Sequence, residues 1–514
     1  MAQTRSETRQ PERALHQSPV RDRRQPAVAW ARILAPLDRQ DRAHLQLMQA
    51  IIDAIDGNRV PRGARLPSGR DLARMLGIGR NTAMAALAAL VEQGYLVARQ
   101  RSGVYVVDRP PVPAVHLAPK GRSDGLHWQR RLGVDMPAAA GAAAGEAPNV
   151  PGPHYSFLYG QLDMSLFPAA SWRECERAAL SVLEIARWGR DMVDEDDAEL
   201  IEQLRKHVLP HHGIWARPDE IIITLGGQQG RYLVAQLLSR RGTRAGIENP
   251  GMPDMAEILR LTGADIRLLQ LDSDGIVVSP QLDSCDTVYA TIGHQNPTTA
   301  TMPLARRQEL LERAASRDFV IVEDTFETEF LGDPAMPPAL KSLDTGHRVV
   351  YIGSLSKLMA PGLRVGFVVA HPVVIRQLRR LRRLIHRHPP GNNQRALAIF
   401  IKHGHYRAYL RRAAQELALR SAAMAAALDR WLPDFRWRHC AGASSFWVEM
   451  PAGIDGRRLV QAAHRKGVFI DCGDRFFLGA ERPAHFLRLA VSTTNATQID
   501  AGIRLLAAVR SEIA

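Results

Sequence analysis

From residue 156 onward, short apolar runs alternate with stretches of helical periodicity. Residues 221–224, 244–248, 266–271, 287–291, 320–322, 349–353 and 365–370 each read as a strand. Apolar runs of this kind are buried on both faces, so the pattern predicts a mostly parallel sheet covered by helices, an α/β architecture. A mainly helical tail from about residue 387, with strand candidates at 445–448 and 486–491, supplies the smaller C-terminal α+β subdomain of such a fold.

The 514 residues exceed one ordinary domain, and 46% hydrophobic content is enough for at least two cores. Residues 109–152 divide them. This stretch contains Pro110-Pro-Val-Pro113 and Ala138-Ala-Ala-Gly-Ala-Ala-Ala-Gly145, the composition of a flexible linker. The formal charge is +14, and residues 1–110 hold 18 arginines and no lysine against ten acidic residues, so eight of those charges sit in the first fifth. Charge concentrated in this way points to a polyanionic partner at the N-terminus. Residues 1–40, rich in Arg, Gln, Pro and Ser, read as a mostly disordered basic arm.

Cys175, Cys285, Cys440 and Cys472 lie far apart, without the spacing of a disulfide framework or a thiolate metal site. The histidine pairs His211/His212, His386/His388 and His403/His405 lack companion carboxylates at ligand spacing, so no metal is expected. No run approaches 18 apolar residues and the N-terminus lacks an apolar signal core, which predicts a cytoplasmic protein with no membrane contact.

Between the arm and the linker, residues 41–108 read as three helices and a hairpin. Leu45, Met48, Ile51, Ile52 and Ile55 recur at three- and four-residue spacing up to Gly57-Asn58. Ser68 is placed to cap a short helix ending at Gly77-Ile-Gly79, after which a second helix starts at Arg80-Asn-Thr82. Two helices joined by a short Gly-containing turn form a helix-turn-helix, and Arg, Asn and Thr at a helix start suit base edges and phosphates. Residues 94–99 and 104–107 then alternate as two strands, a wing with Arg101 at its tip.

Arg65-Leu-Pro-Ser-Gly-Arg-Asp-Leu-Ala73, Leu76-Gly-Ile-Gly-Arg-Asn-Thr82 and Leu90-Val-Glu-Gln-Gly-Tyr-Leu96 resemble the winged helix-turn-helix head of GntR-type bacterial regulators. The resemblance implies operator DNA as partner and Arg70, Arg80, Asn81 and Thr82 as its contacts, with Arg65 and Arg101 on phosphate or the minor groove. Gly79 stands where the family usually carries a Ser cap, a change worth a few tenths of a kcal/mol.

In the larger unit, Lys357 follows an apolar run, with Ser354 and Ser356 beside it and Arg364 seven residues on. An amine so placed can hold an aldehyde covalently, while the hydroxyls and the guanidinium neutralise a phosphate tail. Thr224-Leu-Gly-Gly-Gln-Gln-Gly230 lies between a strand and a helix, where Gly227 and Gln228 can approach an anion. Asn296 and Asp324 follow other strands, at the carboxyl ends where open α/β sheets gather ligands. Asp324 suits a protonated pyridine nitrogen and Asn296 a phenolic oxygen.

With Phe157-Leu-Tyr-Gly-Gln-Leu-Asp-Met-Ser-Leu-Phe-Pro168, residues 153–514 resemble fold-type I aminotransferases, and the pairing with a GntR-type head resembles the MocR subfamily of regulators. The resemblance implies pyridoxal 5'-phosphate on Gly227, Gln228, Asn296, Asp324, Ser354, Lys357 and Arg364, Arg488 as the carboxylate-binding arginine, and a homodimer. Three positions depart from the family: Phe326 replaces the Tyr after the pyridine-binding Asp, Met252 stands in a Pro-Gly-Tyr-Pro segment, and Trp188 replaces a phosphate-reaching Tyr. Two functions are compatible with this pattern. One is a regulator that senses pyridoxal phosphate or an amino compound; the other is a working aminotransferase that carries a DNA-binding head. The basic head and the missing tyrosines favour the first. The basic run 376–388 reads as a solvated helix face.

Overall fold

Local capping and helix contact shape the head, which belongs to the first of two compact units, Met1–Asp135 and Met136–Ala514. The computed structural model describes residues 28–34, 43–108, 154–159, 163–325, 337–355, 359–440 and 442–513. Helix α1 (Ala43–Asp56) buries Leu47, Met48, Ile51 and Ala54. Leu45, expected on that face, is 45% exposed, because the buried stripe runs through Leu47, Met48, Ile51 and Ala54 and leaves position 45 to its side. Helix α2 (Gly69–Leu76) starts at Ser68, whose Oγ accepts from the Asp71 amide at 3.2 Å, and ends at Gly77 in the left-handed region. Helix α3 (Arg80–Glu92) follows. A Cβ on Gly69 would lie 2.4 Å from Met84 Sδ, so any larger residue there would displace the half-exposed Met84 side chain at the α2–α3 contact.

Strands β1 (Leu96–Arg99) and β2 (Gly103–Val106) pair antiparallel with Leu96 opposite Val106, and a bridge from Arg65 to Tyr105 adds a third line of backbone to the wing. The head's core also reaches back into the stretch expected to be a disordered arm. Trp30 and Leu34 are buried in it, and Trp30 Nε1 donates to the Arg65 carbonyl at 3.1 Å. The remainder of the arm and the linker lie outside the described residues.

In the second unit the seven predicted strands and one short unpredicted strand, β6, form one sheet: β3 (Ile221–Thr224), β4 (Arg244–Asn249), β5 (Asp265–Asp272), β6 (Gly275–Ile276), β7 (Thr287–Ala290), β8 (Val320–Asp324), β9 (Val349–Ser354) and β10 (Gly366–Val369). Their order is β3-β10-β9-β8-β7-β4-β5-β6. Neighbours from β9 to β5 run parallel, whereas β10 is antiparallel to both β9 and β3. The two-residue alternation of strands divides the core. Ile222, Val350, Ile352 and Val368 join one cluster with Leu233 and Val234 of helix α4 (Gly226–Leu238); Ile221, Ile223, Tyr351, Phe367 and Val369 join another on the opposite side.

Helix α5 (Pro372–His386) carries the basic run and is not simply solvated. Arg382 is fully buried and donates to Asp196 Oδ1 at 2.5 Å, while Arg379 donates to Asp196 Oδ2 at 2.7 Å and to the Ile221 carbonyl at 2.7 Å. Both arginines therefore clamp the edge strand β3. The smaller subdomain carries helix α6 (His405–Trp431), a four-stranded antiparallel sheet and helix α7 (Ala496–Ile513).

Candidate cofactor site and nucleic-acid interface

The carboxyl ends of β3, β8 and β9 converge on the first turn of α4. A Cβ on Gly366 would lie 2.7 Å from the Gly226 carbonyl carbon, so only two glycines let β10 and the start of α4 approach this closely. Arg364 Nη2 donates to the Leu225 carbonyl at 2.7 Å, which brings its guanidinium beside Gly226. Ser354 ends β9, its Cβ 3.5 Å from where a Gly227 Cβ would stand. Helix amides, a hydroxyl and a guanidinium thus meet at one point, the composition of a phosphate cradle. Ser356, Lys357 and Phe326 lie outside the described residues.

Gln228 is not part of that cradle through its side chain. It is exposed, its Nε2 donates to Asp254 Oδ2 at 3.3 Å, and its Oε1 accepts from Arg231 Nη2 at 2.7 Å. Arg231, one helical turn on, places Nη1 2.7 Å from Asp324 Oδ2, and the two side chains are only 14% and 12% exposed. The sequence reading did not single out Arg231. Its one signal is an arginine in the apolar stretch that follows the glycine turn.

Asp324 and Arg231 line a small, open-mouthed pocket with Glu248, Met252 and Thr291. Glu248 is buried and accepts from Thr291 Oγ1 at 2.7 Å and from Gln295 Nε2 at 3.2 Å. Burial pushes its carboxyl up to about 7, the hydrogen bonds oppose the rise, and the charge of Asp324 adds to it. Asn296 is 6% exposed, and its Oδ1 has no hydrogen-bond partner although its backbone amide donates to Thr291. A buried carbonyl oxygen without a partner is a position that a ligand's donor can fill. The residues present therefore fit pyridoxal phosphate: a cradle for its phosphate, Asp324 for its ring and Asn296 in reserve.

Arg488 lies on the subdomain sheet opposite Trp447 and is 2% exposed. Its guanidinium stacks 3.5 Å over the Tyr159 ring, with Phe476 at 5.5 Å. Trp188 donates its indole N–H to the Ala179 carbonyl at 2.8 Å, which uses the only donor it has. His403 and His405, unpromising by spacing, come together with Cys175 so that their ligand atoms lie within 4.8 Å of one another. Burial raises the Cys175 thiol, aided by Glu174 and Glu176, and His405 opens α6, where the helix dipole disfavours a cation.

On the head, Arg65, Arg70, Arg80, Asn81 and Arg101 are exposed and Thr82 is half-buried. Arg80, Asn81 and Thr82 form the first turn of α3 behind Gly79, which supplies no side-chain cap. Arg101 sits in the left-handed region at the wing tip, and Arg65 runs beside Gly103 at the wing's other strand. No helix among the described residues is long and apolar enough to cross a membrane.

The chain matches two family models: bacterial regulatory proteins of the gntR family over residues 43–106, and aminotransferase class I and II over residues 184–506. It is 39% identical to the HTH-type transcriptional regulator TauR of Rhodobacter capsulatus, across 90% of this chain and 95% of that one. It is 28% identical to the probable rhizopine catabolism regulatory protein MocR of Rhizobium meliloti, across 76% and 78%. Among solved structures, the α-aminoadipate aminotransferase LysN of Thermus thermophilus, complexed with N-(5'-phosphopyridoxyl)-L-leucine, superposes with a TM-score of 0.66 at 27% identity, covering 76% of this chain and 99% of that one.

Proposed function

Because the chain belongs to the MocR subfamily of GntR-type transcriptional regulators, we propose that its head binds double-stranded operator DNA in the cytoplasm while its aminotransferase-like unit uses pyridoxal phosphate to sense a small amino compound. The observation that carries this reading is the pocket itself: a cradle of Gly226, Gly227, Ser354 and Arg364 near a half-buried Asp324, on the same chain as a basic winged helix.

When bound, the cofactor supplies an electrophilic carbon and an electron-withdrawing ring. The protein's own groups divide the remaining work. Arg364 and the first turn of α4 would balance the phosphate charge, Asn296 would address the ring oxygen through its amide, and Asp324 would hold the ring nitrogen. Arg488, buried beneath Tyr159, takes an acidic group of the effector. Lys357 would be the residue that holds the cofactor, through its amine, and its engagement is a local change able to bias two linked units. The loss of a donor at Phe326, and the use of the Trp188 N–H by Ala179, leave the anchor in place and weaken the case for turnover.

We also assign a homodimer. Val182 is 83% exposed and Leu183 77%, with Leu180 and Ile185 beside them, an apolar patch of the kind that a second copy covers. Sedimentation should give a dimer, and Val182→Glu with Leu183→Glu should give a monomer.

The test of sensing against turnover counts product. Full-length protein loaded with pyridoxal phosphate is mixed with a panel of amino acids and amines, and cofactor absorbance and keto-acid yield are followed together. Sensing predicts an absorbance change with no sustained product. Many product molecules per bound cofactor would overturn the reading.

A further inference from the structure

Among the described residues, a thiol and two imidazoles far apart in sequence come together. Cys175 belongs to the helix Ala169–Ala179, His403 caps the end of the helix Gly391–Lys402, and His405 is the first residue of α6. Gly404, between the histidines, takes the left-handed conformation at φ 78°. Across that turn the imidazole centroids stand 5.9 Å apart, and the Cys175 thiol approaches them from the neighbouring helix. The ligand atoms of all three residues lie within 4.8 Å of one another. None of the three lines the pocket beside Asp324.

A tetrahedral zinc ion holds sulfur at about 2.3 Å and imidazole nitrogen at about 2.0–2.1 Å, so its ligand atoms stand roughly 3.3–3.6 Å from one another. The cluster reaches that geometry by a small inward turn of its rings. His403 is exposed and can turn without opening the core, whereas Cys175 is already fixed by burial. The local charge suits a cation. Glu174 and Glu176 act on Cys175, and Lys402, next to His403, is paired with Glu199 at 3.0 Å. The start of α6 opposes a cation, but a thiolate in direct contact outweighs the fractional charge of a helix end. One thiolate with two imidazoles selects Zn2+ over the oxygen-seeking Mg2+ and Ca2+.

We propose that Cys175, His403 and His405 form a zinc site whose fourth position is open to water on the exposed side of His403. On binding, a Zn–S bond replaces the S–H bond of Cys175 and the proton passes to solvent; nothing is oxidised or reduced. The ion ties the helix Ala169–Ala179 to the turn that starts α6, and so stabilises the second unit. The assignment is independent of the sensing reading. Spacing along the chain pairs only the two histidines, because their third partner comes from a distant helix.

The experiment is zinc retention by the tag-free full chain. Chelator-treated protein is given equimolar Zn2+ and dialysed, its metal content is measured, and zinc-edge X-ray absorption reads the ligands. Wild type should retain a single ion with one sulfur at about 2.3 Å and two imidazole nitrogens. His403→Ala, at an exposed side chain, should weaken zinc affinity by at least about tenfold, since losing a partner outside the coordination shell already costs that much. Zinc should raise the denaturation midpoint of wild type and not that of His403→Ala. Cys175→Ser should lose the sulfur signal, and Cys440→Ser should keep it. No retained ion, a retained ion without sulfur, or unchanged affinity in His403→Ala overturns the proposal. The first and third of these outcomes decide it even if Cys175→Ser fails to fold.

Discussion

Glu248 is the buried acid of the pocket whose charge state changes near neutrality. Its carboxyl titrates at about 7 in the folded protein against an ordinary value of 4.5. Between those values the unfolded chain binds fewer protons than the folded one, so stability falls as pH rises through that window. Glu248→Gln keeps an acceptor for Thr291 and removes the titration. Denaturant midpoints taken at about pH 5 and about pH 8 should therefore fall with pH in wild type by more than in the variant. Equal pH dependence would show that Glu248 is ionised in the fold. At this scale, local pattern along the chain marks candidates: Gly227 in a glycine turn, Arg364 after a strand, and Asp324 and Asn296 downstream of strands. Arg231 and Glu248 acquire their roles from β8, α4 and β4 meeting in space, which no spacing along the chain records. Gln228 misled for the same reason, since its amide turns to Arg231 and Asp254 rather than to the cradle.

At the scale of elements, all seven predicted strands of the main sheet form, because uninterrupted apolar runs admit few other buried conformations. The misreadings concern charge and termini. The basic run on α5 reads as a solvated face, yet Arg382 and Asp196 are both fully buried and join α5 to the edge of the sheet. A charge run is periodic whether its arginines meet water or an aspartate, so the pattern cannot tell the two apart. Arg382→Met leaves a buried carboxylate short of a partner and should cost roughly 3–5 kcal/mol, read as a lower denaturation midpoint. The apolar stretch that begins at Trp30 groups with the polar arm because it is too short to set a period, yet the burial of Trp30 and its bond to Arg65 tie residues 28–34 to the wing. Trp30→Ala should destabilise the head by about 3–5 kcal/mol, and a change below about 1 kcal/mol would show the contact to be dispensable.

For the whole molecule, the concentration of charge in the first fifth of the chain matches the position of the winged helix, and the pyridoxal pocket occupies the other unit. The two activities should therefore separate by mutation. Arg80→Ala is expected to weaken operator binding by about 1–3 kcal/mol and leave cofactor absorbance unchanged, since Arg80 opens a helix of the head. The central claim is that occupancy of the pocket is reported to DNA. It is tested most directly by operator affinity of the full chain at fixed salt, with and without pyridoxal phosphate and amine, in wild type and Lys357→Ala. The account predicts that affinity or footprint shifts with ligand in wild type, and that the variant binds DNA with no such shift. An identical response in Lys357→Ala, or no response in wild type, would contradict it.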